Sequence, residues 1–258
     1  MPLKFCSNIS FMFTESSNIL ERYALAKSAG FKAVEGAYPS GPTKDEIVAA
    51  KKKANVQQAL LNMYVADGYF GYTALPGKEN EFREALAKTV ELAKALECPK
   101  IHITAGTVKD TPVTDIHHQT YEKNLIYAEQ ILSKENILGV IEPINKYSLP
   151  NYYLNDYDRA VALIKKINSK HIKLQLDIFH LQHIRGDLTN SIKTFLPHTG
   201  HIQIAQVPGR GEPNTFGEIN YKYILELIEK EGYNDWIGLE YKPTAAGLNW
   251  IQEYGYSL

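Results

Sequence analysis

The chain has 258 residues, of which 44% are hydrophobic and 22% charged, and its formal net charge is −1 at pH 7. This length and composition are typical of one soluble globular domain and exclude a disordered or low-complexity protein. The near-neutral charge disfavours a nucleic-acid-binding protein, because it provides no basic field to attract a polyanion.

Cysteine usage and the distribution of apolar residues limit the class of protein further. Cys6 and Cys98 have no CxxC spacing, which argues against a disulfide framework or a thiolate zinc site and favours buried packing. The first residues lead into a predicted strand without a targeting sequence, and no apolar run approaches the roughly 18 residues of a membrane span. We therefore expect a cytoplasmic protein without a membrane partner.

Apolar residues recur along the chain with alternating strand and helix periods. The predicted strands are 3–10, 31–35, 56–63, 100–105, 138–142, 172–177, 200–205 and 236–240. Helices are predicted at 21–30, 43–55, 81–97, 114–134, 156–166 and 187–195, and another begins at Tyr221. Such alternation predicts right-handed crossovers and a parallel sheet.

Eight predicted strands in a chain of this length indicate an α/β protein with a closed (β/α)8 TIM barrel, formed by residues 1–258 as a single domain. An open, doubly wound sheet is the alternative fold. The chain has no glycine-rich first turn of the dinucleotide-binding type, which favours the barrel. No linker, charge block or low-complexity tract divides the domain.

Four predicted strands end in a polar residue whose side chain should point to the opposite face of the strand from its apolar neighbours. These residues are Glu142, Asp177, Gln203 and Glu240. Because side chains alternate along a strand, the apolar residues can pack on the helices while these four point inward. The C-terminal ends of barrel strands meet at one mouth, so the four side chains are predicted to converge there.

Three carboxylates at one mouth repel one another unless a positive charge lies between them. A divalent cation meets this need, and a ligand set of oxygens with a neutral amide favours Mg2+ or Mn2+ over Zn2+. The alternative interpretation is that the acids form separate structural salt bridges with Lys173, Lys242 or Arg210.

A cation bound to an α-hydroxycarbonyl substrate would acidify the carbon-bound proton and stabilise the resulting enediolate. Glu142 and Glu240 are placed to take this proton and return it to the neighbouring carbon, or to the same carbon from the other side. Arg210 and Lys242 are predicted to bind a substrate carboxylate or phosphate at the same rim.

Two histidines and two loops are further candidates at this mouth. His180 is predicted either to hydrogen-bond a substrate oxygen or to belong to loop structure, and His102 is either a core histidine or a substrate ligand. The loop 64–78 follows a strand end and is predicted to cover the mouth as a lid or to be a plain surface loop. The loop 207–217 is rich in turn-forming residues and is predicted to lie on the functional face.

Distinctive blocks occur throughout the chain: 8–14 (NISFMFT), 74–78 (ALPGK), 141–145 (IEPIN), 176–180 (LDIFH), 201–213 (HIQIAQVPGRGEP), 217–221 (GEINY) and 238–243 (GLEYKP). Together they resemble the hydroxypyruvate isomerase family over essentially the whole chain. The resemblance implies a xylose-isomerase-like barrel that interconverts hydroxypyruvate and 2-hydroxy-3-oxopropanoate (tartronate semialdehyde). It also implies that Glu142 and Glu240 are the catalytic pair, that Asp177 and Gln203 join them as metal ligands, and that His180 and Arg210 face the substrate.

The segment 62–71 departs from the family pattern, because it lacks the usual prolines and glutamate, and this affects the expected substrate more than the expected chemistry. The alternatives are a ketose 3-epimerase or another small sugar or hydroxy-acid isomerase, a phosphodiesterase acting on damaged DNA, and a non-catalytic metabolite-binding protein. The phosphodiesterase would need more histidine ligands and a basic rim. We expect a small hydroxy-oxo acid substrate and no nucleic-acid partner, and the sequence leaves a homo-oligomer open.

Overall fold

The computed structural model describes residues 2–109, 112–244 and 247–258. It contains a closed barrel of eight parallel strands in sequence order, and β1 pairs with β8 to complete the ring. The strands are β1 (Lys4–Asn8), β2 (Ala33–Gly36), β3 (Gln57–Asn62), β4 (Lys100–His102), β5 (Leu138–Ile141), β6 (Ile172–Asp177), β7 (Thr199–Ile204) and β8 (Trp236–Leu239). The predicted (β/α)8 barrel is thus confirmed.

Helices separate the strands in the predicted order. They are α1 (Ile19–Ser28), α2 (Lys44–Ala54), α3 (Glu79–Ala95), α4 (Asp115–Leu132), α5 (Tyr157–Ile167), α6 (Ile178–Ile184), α7 (Leu188–Phe195), α8 (Tyr221–Lys230) and α9 (Trp250–Glu253). None of the described helices is long and apolar enough to cross a membrane. The short helix α6, which follows β6 without a loop, was not predicted from the sequence.

Local capping explains where several helices begin and end. Thr43 and Glu46 form a capping box before α2, and Asn55 ends that helix in the left-handed conformation with a φ of 52°. Asp177 is the last residue of β6 and also the N-cap of α6, since its Oδ1 accepts a hydrogen bond from the Phe179 N–H at 2.8 Å. One oxygen of Asp177 is thereby used for structure, and the other is left for the barrel mouth.

The interior of the barrel is polar, while the space between strands and helices is apolar. Ile172, Leu174 and Leu176 of β6 are fully buried in the main hydrophobic core. Residues of the opposite parity on β6, Gln175 and Asp177, are buried among other polar side chains. Many TIM barrels fill this space with branched apolar residues, so a polar interior indicates that these side chains serve a site.

Gly238 of β8 makes room for one of these interior side chains, the carboxylate of Glu35 on β2. A Cβ atom at position 238 would lie 2.3 Å from both Oε1 and Oε2 of Glu35. Glu35 is itself fully buried and hydrogen-bonded, so it has little space to move away. The glycine is therefore required by packing rather than by backbone conformation.

We expect Gly238→Ala to lower the free energy of unfolding by about 1–3 kcal/mol, because the added methyl overpacks the interior against Glu35. Denaturant unfolding followed by circular dichroism measures the change. Gly209→Ala is the matched control, since nothing lies within 4 Å of a Cβ at that position. Equal stability of wild type and Gly238→Ala would contradict this packing argument.

Candidate active site

The four polar residues predicted at strand ends all lie at the C-terminal mouth of the barrel. Glu142 directly follows β5, Asp177 ends β6, Gln203 lies in β7 and Glu240 directly follows β8. All four are buried, and Asp177 and Gln203 are paired in register between neighbouring strands. Since β6 and β7 separate β5 from β8 around the ring, the two glutamates flank the other two residues.

Arg210 is the positive charge that the structure places among these acids. Its Nη2 lies 2.5 Å from Glu240 Oε2 and 3.8 Å from Asp177 Oδ2. The guanidinium also packs on the rings of Phe11 and Phe179, at 4.6 and 4.8 Å from their centroids. Arg210 is held in the loop between β7 and α8, and this confirms that the loop reaches the functional face.

His180 lies in α6 and points between two of the acids. Its Nε2 is 3.5 Å from Asp177 Oδ2 and 3.8 Å from Glu142 Oε1. Its Nδ1 faces the side-chain and backbone nitrogens of Asn145, at 2.7 and 3.3 Å, so Nδ1 is an acceptor and Nε2 carries the proton. Burial, with the nearby Arg210 charge, lowers the pKa of His180 well below its ordinary value. A neutral ring with an Nε2–H suits a hydrogen-bond donor better than a metal ligand.

His102 of β4 is buried beside Glu142, with its Nε2 3.6 Å from Glu142 Oε2. Neither ring nitrogen has a hydrogen-bond partner within the described part of the chain. Burial, together with the neighbouring His201, lowers the pKa of His102 to about 3. An uncharged, unpaired imidazole at the mouth is available to hydrogen-bond a ligand.

The three carboxyl groups are strongly perturbed by one another and by burial. Burial raises the pKa of Glu142 well above its ordinary value, and the charges of Glu240 and Asp177 raise it further. Burial also raises the pKa of Glu240 to about 8 and that of Asp177 to about 6, although Arg210 opposes both shifts. One arginine is insufficient to neutralise three buried carboxylates, so the site favours bound protons or an additional cation.

The oxygen atoms that remain free define where a cation fits. Among the described residues, Glu142 Oε1 and Asp177 Oδ2 are buried without a hydrogen-bond partner. Ligand atoms of Glu142, Asp177 and His180 all lie within 4.8 Å of one another. Gln203 Oε1 accepts from Gln175 Nε2 at 2.6 Å and keeps a second lone pair, whereas Glu240 is engaged by Arg210. These oxygens suit a hard divalent cation such as Mg2+ or Mn2+.

Lys242 lies at the outer edge of the mouth. Its backbone N–H donates to Arg210 O at 2.8 Å, and its side chain is exposed. Lys242 and Arg210 both line an open cavity of about 770 Å3, together with Phe11, Phe179 and Tyr147. Lys242 is therefore near the entrance, whereas Arg210 lies deeper among the acids.

The loop 64–78 is attached to the segment that follows β4. Gly71 and Ala105 form a β-bridge, the Ala74 N–H donates to Ala105 O, and Thr73 Oγ1 donates to Thr104 O. Asn124 of α4 adds a hydrogen bond to Thr73 O. The loop thus lies on the same face as the carboxylates, as predicted, and several contacts hold it in place.

Four residues that contact the site were not predicted. Asn145 orients His180, and Gln175 donates to Gln203. Asn8 donates to Glu240 Oε1 at 3.1 Å and to Glu35 Oε1 at 3.0 Å. Glu35 stands near the end of β2 with inward parity, so the rule that selected the other strand ends would also have selected it.

Comparison with known proteins identifies first the class and then the family. The family model for xylose isomerase-like TIM barrels matches residues 23–254. A hydroxypyruvate isomerase from Escherichia coli (strain K12) is 38% identical and covers 98% of this chain and 99% of its own. A 2-oxo-tetronate isomerase from Cupriavidus necator is 36% identical over 98% of this chain and 99% of its own.

A solved structure gives the same fold at high similarity. A crystal structure from Brucella melitensis, described as an AP endonuclease of family 2, has a TM-score of 0.93 and 36% identity, and covers 98% of this chain and 99% of its own. The L-ribulose 3-epimerase structure has a TM-score of 0.77 at 19% identity, which shows the shared fold alone. The chain therefore belongs to the hydroxypyruvate isomerase family of xylose isomerase-like TIM barrels, and it is an isomerase.

The raised carboxyl pKa values predict an unusual pH dependence of stability for the metal-free protein. At pH values between the ordinary carboxyl pKa values and the raised ones, these acids bind more protons in the native state than in the unfolded state. For Glu240 this range extends to about pH 8. These carboxyl groups should therefore lower the free energy of unfolding by a few kcal/mol from pH 5 to pH 8, since one pKa unit corresponds to about 1.4 kcal/mol. The buried histidines with lowered pKa values, His102, His180 and His201, contribute a rise in the free energy of unfolding up to about pH 6.5.

Urea unfolding of chelator-treated protein at several pH values measures this slope. Glu142→Gln should flatten it, because one of the acids that must ionise is removed. Saturating Mn2+ should flatten the slope in the wild type, because a cation offsets the repulsion. The same pH dependence in the metal-free wild type and in Glu142→Gln would show that the acids are not mutually destabilising.

Proposed function

We propose that this isomerase interconverts hydroxypyruvate and 2-hydroxy-3-oxopropanoate by moving a proton between neighbouring carbons through an enediolate. The observation that carries the proposal is the pair Glu142 and Glu240, buried on strands that flank Asp177 and Gln203. Burial raises the pKa of Glu142 well above its ordinary value and that of Glu240 to about 8, which suits groups that both accept and return a proton. The relatives named as hydroxypyruvate and 2-oxo-tetronate isomerases act on 2-oxo acids, which supports this substrate class.

The reaction requires one carbon to lose a proton and its neighbour to gain one. Glu240, which Arg210 and Asn8 hold by hydrogen bonds, takes a proton from C3 of hydroxypyruvate. A proton is then delivered to C2 by Glu142 from the other side of the mouth. The C3 hydroxyl becomes the aldehyde as the C2 carbonyl becomes a hydroxyl, so the substrate and product have the same atoms.

Neighbouring side chains hold the oxygens of the substrate. The Nε2–H of His180 is aimed at the mouth and can donate to the C2 oxygen as its negative charge develops. His102 can hydrogen-bond a second substrate oxygen beside Glu142. The guanidinium of Arg210 has five N–H donors, so a substrate carboxylate can share it with Glu240, and Lys242 can assist from the rim.

The residues present fit a divalent cation, as judged from the free buried oxygens of Glu142 and Asp177. Glu142, Asp177, Gln203 and Glu240 would hold it. When bound, Mg2+ or Mn2+ would supply positive charge beside the substrate carbonyl and so lower the energy of the enediolate.

Two alternatives use other chemistry. A ketose 3-epimerase would invert one carbon and leave the carbonyl where it is, and the distant structural similarity to the L-ribulose 3-epimerase supports only the fold. A nuclease, suggested by the description of the Brucella structure, would need a basic rim for the DNA phosphates. The net charge of −1, and the use of Arg210 to pair Glu240, favour the isomerase.

We expect Glu142→Gln and Glu240→Gln each to lower kcat for hydroxypyruvate by at least about 100-fold, because loss of a proton-transfer group typically costs that much or more. A coupled assay of the aldehyde product measures turnover. Glu212→Gln is the matched control, since Glu212 is a fully buried carboxylate that accepts from the Thr244 N–H and is not assigned to the chemistry. Undiminished turnover in either folded glutamate variant would refute the proposed pair.

Isomerisation in D2O distinguishes the substrate classes. Proton exchange with solvent should place deuterium at C2 of the product from hydroxypyruvate. A ketose 3-epimerase would instead introduce deuterium at C3 of a ketose. Rapid cleavage of abasic DNA without isomerase activity would favour the nuclease and overturn the proposal.

A further inference from the structure

A continuous row of hydrogen-bonded polar side chains, all buried except Asp235 at its base, fills the barrel beneath the candidate site. It starts at Asp235, whose Oδ2 lies 2.8 Å from Lys100 Nζ, and Lys100 Nζ lies 3.4 Å from His201 Nδ1. His201 Nε2 is 2.5 Å from Glu35 Oε2. We call the set Asp235, Lys100, His201, Glu35, Asn8 and Gln203 the polar file; it ends at the mouth.

The direction of each hydrogen bond in the lower half of the polar file follows from its chemistry. Lysine has only donors, so His201 Nδ1 must accept, and the single proton of the neutral ring lies on Nε2. His201 Nε2–H therefore donates to Glu35 Oε2, and Cys6 Sγ is also 3.5 Å from that oxygen.

Glu35 in turn sets the direction of the hydrogen bonds nearer the mouth of the barrel. Its two carboxylate oxygens contact the His201 ring, the Gln203 amide and the Asn8 amide, at distances of 2.5 to 3.0 Å. An ionised carboxylate only accepts hydrogen bonds. Glu35 Oε1 accepts from Gln203 Nε2 at 2.6 Å and from Asn8 Nδ2 at 3.0 Å, so both amides turn their nitrogen toward it.

The two amides then face the site with defined atoms. Gln203 presents Oε1 away from Glu35, where it accepts from Gln175 Nε2 and has a lone pair to spare. Asn8 uses the same nitrogen to donate to Glu240 Oε1 at 3.1 Å, while its Oδ1 accepts from the Ser10 N–H. Gly238, which has no Cβ, leaves the space that Glu35 needs to reach both amides.

We infer that Glu35 is a positioning residue of this enzyme: it orients the Gln203 amide to offer oxygen to a cation and the Asn8 amide to offer an N–H to Glu240. His201 and Lys100 support it, because the lysine fixes the histidine tautomer that donates to the other oxygen of Glu35. This inference rests on the proposed function, because it uses Gln203 as a metal ligand and Glu240 as an acid/base.

Glu35→Gln tests the inference because it keeps the shape and changes the hydrogen-bond direction. His201 Nε2–H requires an acceptor, so the new amide must place its oxygen there. Its NH2 group then faces Gln203 Nε2 and Asn8 Nδ2, and a donor cannot satisfy a donor. Both amides must rotate, which presents the NH2 of Gln203 to the cation site and removes the Asn8 N–H from Glu240.

The orientation is measured without metal through the side-chain amide signals of protein labelled with 15N-glutamine. The Gln203 signals are assigned by their loss in Gln203→Glu. We expect Glu35→Gln to move them and Tyr23→Phe to leave them in place. Tyr23→Phe is a stability control, because it removes one buried hydrogen bond to Gln58 outside the barrel interior. Glu35→Asp keeps an acceptor and should move the signals less than Glu35→Gln.

The consequence for the cation is measured by calorimetric titration of chelator-treated protein with Mn2+. We expect Glu35→Gln to weaken binding about 10–100-fold, as for other residues that orient metal ligands, with Tyr23→Phe within about twofold of wild type. In protein that already carries Gln203→Glu, we expect Glu35→Gln instead to strengthen Mn2+ binding, compared with Gln203→Glu alone. Its NH2 then donates to the carboxylate introduced at position 203, whereas the original Glu35 carboxylate would repel that group.

Glu35→Gln is thus expected to weaken Mn2+ binding in the wild type and to strengthen it in Gln203→Glu. If the two substitutions were independent structural losses, their effects on Mn2+ affinity would add, so this reversal distinguishes a positioning role from a merely structural one. Turnover by the double variant should stay low even where Mn2+ binding recovers, since the Asn8 amide remains misdirected. If Glu35→Gln does not fold, the shift of the same signals in Glu35→Asp carries the test.

Unmoved Gln203 signals in Glu35→Gln, or unchanged Mn2+ affinity with no reversal, would overturn the inference and leave the proposed function standing. If the wild type neither binds Mn2+ nor isomerises hydroxypyruvate, the proposed function fails. The amide signals of the metal-free protein would still decide whether Glu35 sets the orientation.

Discussion

The mutual repulsion of buried carboxylates is the constraint on which the rest of this structure depends. Glu142, Asp177 and Glu240 lie buried together at the barrel mouth, and the only nearby charge among the described residues that pairs with them directly is Arg210. Such an arrangement is costly for folding and useful for chemistry, because it leaves acids that hold protons near neutral pH and oxygens that attract a cation. The stacked rings of Phe11 and Phe179 keep Arg210 where this balance requires it.

The polar interior extends this constraint through the whole barrel. Because Glu35 is also buried, it needs donors on every side, and it obtains them from His201, Gln203 and Asn8. Two of these donors, Gln203 and Asn8, also reach the mouth, so folding and site geometry are satisfied by one hydrogen-bond network. Exchange of a single donor for an acceptor therefore affects both stability and the positions of the reacting groups.

Much of this arrangement follows from the sequence. The parity of polar residues at strand ends located Glu142, Asp177, Gln203 and Glu240, because strand alternation is regular and the ends of barrel strands must meet. The same rule applies to Glu35 at the end of the predicted strand 31–35, but its contacts with His201, Gln203 and Asn8 join segments distant in sequence. Asn8 and Asn145 could not be predicted, since their roles depend on hydrogen bonds between segments distant in sequence. The helical position of His180 was likewise hidden, because α6 has only seven residues.

In the proposed mechanism, oxygens of four strand-end residues share one divalent cation. A crystal structure of the protein soaked with Mn2+, with data collected at the manganese absorption edge, tests it most directly. We expect one anomalous peak, bounded by oxygens of Glu142, Asp177, Gln203 and Glu240. A peak at another place, or none at saturating Mn2+ near pH 8, would contradict it.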